Sequence, residues 1–281
     1  MFDAMLPLDR SLFQDPAFAA ALKECGQAPI TLPDGQLLLT RRLFGVTVAM
    51  LPRAAPPENL GAQLARLGLH RAPVILSPDH RCPVPASVCL ARPRDKIVLD
   101  LDRDETASRA RLHPKWRNQL IRAETSALRM VQGSLPPDPN HPLLRLESKQ
   151  ARARGYTNWP GALTAAFARA APHQTLLFSA FCRDRGVAHM LFLLHGERAS
   201  YHIGYTNAEG RSLHAHNLLL WRASRHLASL GIRQVELGLM QPRAHGLNRF
   251  KLRTGARRQP TGGSWLYWHP FARAAGLRSV A

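Results

Sequence analysis

The chain of 281 residues carries 38 Lys and Arg against 19 Asp and Glu, a formal charge of +19, at an ordinary 45% hydrophobic content. That length can bury one large core or two small ones, and the charge favours polyanionic partners: nucleic acid, nucleotides or an anionic membrane surface. Residues 1–10 lack the basic start and apolar run of a signal peptide, no apolar stretch nears the roughly 18 residues that span a bilayer, and Cys25, Cys82, Cys89 and Cys182 lack CxxC spacing. These features argue against a secreted disulfide scaffold, a membrane-spanning protein and a zinc ribbon. They point to the cytoplasm, with the inner membrane surface as a compatible location. Arginine enrichment accounts for part of the charge, because only Lys23, Lys96, Lys115, Lys149 and Lys251 are lysines.

In chain order, residues 10–27 read as a helix. Residues 36–43 and 46–51 read as paired strands joined by a tight turn at Phe44-Gly45. Pro56-Pro57 opens a helix that Gly68 stops, and short strands are expected at 74–76 and 88–90. A clearer strand, 96–101, precedes a helix running to about Leu128. Four prolines within 133–142 prevent regular structure and suggest a linker, so we expect domains at 1–134 and 135–268. Helices follow at 143–154 and 160–171, then an antiparallel run of strands at 175–183, 187–195 and 199–205. A long helix is expected over 212–230, capped by Gly231 in the left-handed conformation. The strand 232–239, a short helix and a strand at 263–268 complete an α+β order that lacks the alternation of a doubly wound sheet.

Two basic segments stand out. Along 111–124, Leu112, Trp116, Leu120 and Ala123 recur at helical spacing, and Arg111, Lys115, Asn118 and Arg122 fall on the opposite side. Pro114 suits the first helical position, which puts Lys115 and Arg117 in a first turn whose free N–H groups attract anions. The second segment is Gly246-Leu-Asn-Arg-Phe-Lys-Leu-Arg-Thr-Gly255. Its glycines permit turns at either end, and Phe250 is expected to pack inward and so orient Lys251. A lysine ammonium is a compact charge suited to a phosphate or to a tetrahedral oxyanion. Repulsion from Arg249, Arg253, Arg257 and Arg258 is expected to lower its pKa. On the residues alone, both segments read as readily as solvated basic surface.

His214 and His216 diverge by about 200° on a helix and share no metal site, although one imidazole of the group with His202 suits a general base. Neither a nucleophile elbow, a phosphate loop nor a dinucleotide fingerprint is present.

The segment Lys115-Trp-Arg-Asn-Gln-Leu-Ile-Arg-Ala-Glu124 resembles the K-x-R-x-x-I-R-K-A helix of FemAB-like proteins. Tyr201-His-Ile-Gly-Tyr205, Ala215-His-Asn-Leu-Leu-Leu-Trp-Arg-Ala223, Val235-Glu-Leu-Gly238 and Gly246-Leu-Asn-Arg-Phe-Lys-Leu252 continue the likeness in order. The resemblance is to the FemAB and BioF2-like branch of the GNAT acyltransferase superfamily, and it spans about 95–268. It implies tandem GNAT-like domains, each a mixed, mostly antiparallel sheet flanked by helices, with the C-terminal segment 269–281 returning to the first domain.

It further implies transfer of an aminoacyl or acyl group to an amine, without a tightly bound cofactor. The co-substrate would be aminoacyl-tRNA or acyl-CoA, with tRNA and a cell-envelope precursor as implied partners. Phe250 and Lys251 match the family's active-site pair. Lys115, Arg117 and Arg122 match its basic helix, Asn248 and Arg253 flank the pair, and Tyr201 and His202 lie where acceptor contacts occur. Both the helical hairpin that some members use on tRNA and the R/Q-x-x-G-x-G/A pyrophosphate loop are missing. The charge tips the donor slightly toward aminoacyl-tRNA. The rival readings are an acyl-CoA-dependent N-acetyltransferase and a non-catalytic binder of RNA or an anionic surface.

Overall fold

A computed structural model describes residues 10–268, and its contacts divide the chain into two units. Among the described residues, one unit holds 13–95 and 259–268; the other holds 10–12 and 96–258. In chain order the elements are α1 (Pro16–Glu24), β1 (Ile30–Thr31), β2 (Leu37–Leu43), β3 (Val46–Pro52), α2 (Leu60–Arg66), β4 (Val74–Ser77), β5 (Val88–Ala91), β6 (Asp95–Asp100), α3 (Glu105–Ala110), α4 (Pro114–Glu124) and β7 (Arg129–Ser134). Then come α5 (Pro142–Arg154), α6 (Gly161–Ala170), β8 (Thr175–Cys182), β9 (Arg185–His195), β10 (Arg198–Thr206), α7 (Ala208–Ser212), α8 (Ala215–Ser229), β11 (Gln234–Leu239), α9 (His245–Leu252), β12 (Arg257–Pro260) and β13 (Ser264–Tyr267). No described helix is long and apolar enough to cross a membrane.

The smaller unit is a sheet of order β1-β2-β3-β4-β13-β5, with β3 and β4 parallel and its other described pairs antiparallel. Leu38, Leu51, Leu64 and Leu76 form its core. Buried Gln14 ties two strands together: its Nε2 donates to Leu37 O and Pro52 O, and its Oε1 accepts from Leu37 N. Each polar atom of that side chain is matched, so its burial leaves no desolvation penalty uncompensated.

The larger unit has the order β12-β6-β11-β10-β9-β8-β7. Its core joins α4 and α8 to the sheet through Trp116, Leu120, Leu219, Phe178, Phe192 and Leu237. The spacing read from 111–124 holds: Trp116, Leu120 and Ala123 are buried, Lys115 and Arg122 are exposed, and Pro114 begins α4. Gly231, at φ 87°, follows α8 in the left-handed conformation.

Several boundaries differ from expectation. The division falls at Asp95/Lys96 and Arg258/Gln259, not at 134/135. Residues 129–134 form β7, which pairs with β8 along six residues, so the prolines beyond them interrupt structure inside one unit. It is the strand β13 that joins the sheet of the smaller unit, and 269–281 lie outside the described residues. The long helix expected over 212–230 is broken: α7 ends at Ser212, and His214 takes φ 52° before α8. Gly246 marks no turn, since α9 begins at His245.

Trp116 is fully buried where α4 meets the sheet. Trp116→Ala is therefore expected to lower the unfolding free energy by about 3–5 kcal/mol, read from the urea midpoint at unchanged slope.

Candidate active site

The site begins with an interruption in the sheet. Strands β10 and β11 run parallel only from Arg198↔Gln234 to Ser200↔Glu236. Just beyond, β10 shifts register against β9 between Tyr201 and Ile203, and β11 shifts against β6 between Glu236 and Leu239. The two strands therefore fork, and Leu237 and Gly238 sit where neither ladder is regular. Gly238 has φ 91°, a conformation that L side chains rarely adopt.

Lys251 fills the fork from α9. It is only 6% exposed, and its Nζ donates to Leu237 O, in the stretch where β11 loses register with β6. The ammonium lies 5.5 Å from the centroid of the Tyr201 ring, a cation–π distance. Burial pushes the Lys251 pKa down to about 8. Desolvation is the cause, in place of the expected repulsion from neighbouring arginines.

Tyr201 reaches along its own strand over Gly204. A Cβ on Gly204 would stand 1.5 Å from the Tyr201 hydroxyl, so only glycine admits this placement. Burial raises the Tyr201 pKa, and the phenol stays neutral. Phe250, half-buried, packs between Trp116 at 6.1 Å and His216 at 6.3 Å. Inward packing of Phe250 and burial of Lys251 are thus achieved together by one turn of α9.

Asn248, also buried, fixes the approach to that helix: its Oδ1 accepts from Gln241 N and its Nδ2 donates to Gln241 O. It braces α9 against the end of β11. His216 Nε2 donates to Tyr205 O at 2.8 Å, which leaves Nδ1 as an acceptor. The neighbouring Asn217 is 5% exposed, and its Nδ2 has no partner among the described residues.

The remaining expected residues are placed elsewhere. His202 is turned away from Lys251. Its ring stands edge-on to Trp159 at 4.7 Å, and its Nε2 meets Thr164 Oγ1 at 3.1 Å. His202 is the extra residue of the β10 bulge, and it is Tyr201 that takes the Lys251 side. Arg117 is turned inward, its Nη2 donating to Ala110 O and Leu112 O, so it satisfies carbonyls at the end of α3. Lys115 and Arg122 stay on the solvent face of α4. Arg253 ends α9, and its carbonyl accepts from His113 N.

Behind the fork lies a network that composition alone does not disclose. The buried carboxylate of Glu147 accepts from Tyr156 Oη at 3.0 Å and from Asn158 Nδ2 at 2.8 Å. Gln150 and Asn158 donate in turn to Gly204 O and His202 O. The bulged stretch of β10 that carries Tyr201 is thereby clamped from α5. Lys96, 1% exposed, is a second buried lysine, 3.3 Å from Glu236 of β11.

Residues 115–252 match the family model of the acetyltransferase (GNAT) domain. Among solved structures, FemX superposes with a TM-score of 0.72 at 11% identity, over 94% of both chains. The C-terminal domain (DUF2156) of a protein assigned as a lysylphosphatidylglycerol synthetase from Agrobacterium fabrum gives 0.59 at 13%, over 95% of this chain and 92% of that one. L-PGS from Bacillus licheniformis gives 0.56 at 11%, over 92% and 93%. No curated protein matches the sequence. Residues 115–252 thus match a GNAT domain, and over the whole chain the likeness to these structures is one of fold, an α+β protein with two mixed sheets flanked by helices.

Burial lowers the pKa of both His202 and His216 to about 4. Each is neutral in the folded protein where the unfolded chain, near 6.5, takes up a proton. Their contribution to stability is complete above about pH 6.5 and is lost as the pH falls toward 4. Imidazole NMR at about pH 5.5 is expected to show both rings neutral, and a midpoint near 6.5 for either ring would contradict the burial argument.

Proposed function

We propose that the protein is an N-acyltransferase that moves an aminoacyl or acyl group from an activated ester or thioester to an amine, with Lys251 at the reacting carbonyl. The observation that carries this reading is the buried ammonium in the β10/β11 fork, held by Leu237 O against the Tyr201 ring. A charge in so apolar a place interacts strongly with any anion that develops beside it.

In the proposed step the neutral amine attacks the acyl carbon and a C–N bond forms. The carbonyl oxygen becomes an oxyanion beside the Lys251 ammonium. Collapse breaks the bond to the donor oxygen or sulfur, and the proton leaving the amine passes to that leaving group. Holding donor and acceptor together supplies the rest of the acceleration. Phe250 and Asn248 position the lysine, and Tyr201 forms one wall. His216, with Nδ1 free to accept, replaces His202 as the imidazole suited to steer the amine.

The donor follows from two supports that pull apart. The GNAT domain favours acyl-CoA. The Agrobacterium protein, by its name, joins a lysyl group to phosphatidylglycerol, which is aminoacyl chemistry. The formal charge of +19 adds weight to a tRNA-borne donor, and the acceptor is an amine, a cell-envelope precursor among the candidates. The reaction belongs in the cytoplasm or at the inner face of the membrane. Lys115, Arg122 and Arg253 serve to attract the phosphates of such substrates.

Labelled acyl-CoAs and a charged tRNA pool, tested against an amine panel, identify the donor by transfer of label. Lys251→Met is expected to cut turnover by about 10²–10³-fold, the usual loss of one oxyanion donor, while retaining the fold. If the charged lysine is the working form, kcat/KM falls as the pH rises through about 8, the Lys251 pKa, and this limb disappears in Lys251→Met. Unchanged turnover in that variant would remove Lys251 from the chemistry.

A further inference from the structure

The tip of the β2–β3 hairpin is apolar and stands clear of its unit's core. Backbone pairing runs from Leu39↔Met50 out to Leu43↔Val46, yet burial ends well short of the tip. Leu38 and Ala49 are in the core, and every residue from Arg41 to Val46 is exposed. Phe44 is 105% exposed, so nothing among the described residues covers its ring, and Leu43 and Val46 are exposed at 46% and 54%. The turn itself does not call for an aromatic residue. Phe44 at φ 48° and Gly45 at φ 83° are both left-handed. The first position of such a hairpin turn ordinarily carries Asn, Asp or Gly, because a bulky side chain is strained there. Three of four consecutive residues are thus apolar and exposed, and none of them joins the core of the smaller unit.

Charge sits directly behind this tip. Arg42 and Arg41 occupy the next two rungs, opposite Thr47 and Val48. Adjacent residues of a strand point to opposite faces, so one guanidinium lies on each face of the ribbon. Arg42 Nε donates to Gly45 O at 3.4 Å, and neither arginine has an acidic partner among the described residues. No Asp or Glu occurs from Gln36 to Pro57. An apolar end with a cationic collar on both faces matches a planar boundary that the finger enters end-on. In a bilayer surface, acyl chains surround the tip while headgroup phosphates lie level with the arginines, whose stems reach past the apolar layer. We propose that the β2–β3 hairpin is a membrane anchor, which inserts Leu43, Phe44 and Val46 into an anionic lipid surface and sets Arg41 and Arg42 on the headgroups. Such an anchor would hold the protein at the membrane face named above, and it needs nothing of the Lys251 chemistry.

Co-sedimentation of the full chain with vesicles of phosphatidylcholine, with and without phosphatidylglycerol, tests this. The parent is expected to bind the mixed vesicles and to bind phosphatidylcholine alone more weakly. Leu43→Thr/Phe44→Asn/Val46→Thr suits the turn better than the native residues, and is expected to keep the thermal midpoint while weakening binding about tenfold or more. Arg41→Glu/Arg42→Glu is expected to weaken binding to the mixed vesicles by a similar factor. Arg145→Glu/Arg152→Glu removes the same charge from the exposed face of α5 and is expected to change it by less than about twofold at physiological salt. Phe44→Trp is expected to add an indole emission that brominated lipid quenches. Lys251→Met is expected to bind as the parent does, so a failure of the catalytic reading leaves this result standing, and acyl transfer without vesicle binding would sink the anchor alone. Unchanged binding in the tip variant, equal weakening by the two arginine pairs, or no binding to the mixed vesicles would each overturn the proposal. So would a concentration-dependent self-association, seen without lipid, that the tip variant abolishes, since the tip would then be a contact between two copies of the chain.

Discussion

The arrangement of the larger unit depends on one hydrogen bond, that from the Lys251 ammonium to Leu237 O. A sheet that opens between two parallel strands exposes backbone groups that its interior cannot leave unpaired. A side chain from α9 answers one of them, and in doing so a cation is carried into an apolar place. The surrounding features serve that placement. Gly238 gives the strand its turn, Asn248 locks the helix to Gln241, Phe250 wedges against Trp116, and Gly204 makes room for the Tyr201 hydroxyl.

Burial has a cost that defines the chemistry. The charged form of Lys251 loses hydration and regains one carbonyl and one aromatic face, so its pKa falls. The cost of holding the charge is complete below about pH 8 and is relieved as the pH rises toward the ordinary lysine value. An ammonium in this condition is under-solvated until an anion meets it. That distinguishes Lys251 from Lys115 and Arg122, whose charges are already hydrated on the surface of α4. It also distinguishes it from Lys96, which has Glu236 beside it.

Periodicity disclosed the parts of the structure that depend on local pattern. The apolar stripe of α4, the antiparallel run from β8 to β10 and the cap at Gly231 were legible because each rests on neighbouring residues. The Phe250-Lys251 pair was legible through its likeness to a family, and its helix was not marked by the glycines around it. What escaped depends on distant partners. Arg117 looked like a phosphate ligand until the end of α3 came within its reach. The prolines near 134–142 looked like a boundary because a break in secondary structure does not show which strands pair across it. The placing of His202 depends on the bulge in β10, which pairing with β9 creates and spacing alone does not show. The Glu147 clamp on β10 left no trace in spacing at all.

The most direct test of the central claim is the titration of Lys251 itself. With five lysines in the chain, 13C NMR of labelled lysine side chains resolves each one, and Lys251→Met assigns the signal. The signal that disappears in that variant should titrate at about 8 and shift when the acyl donor is added. A Lys251 titration near the unperturbed value of about 10.4, indifferent to the donor, would contradict the account.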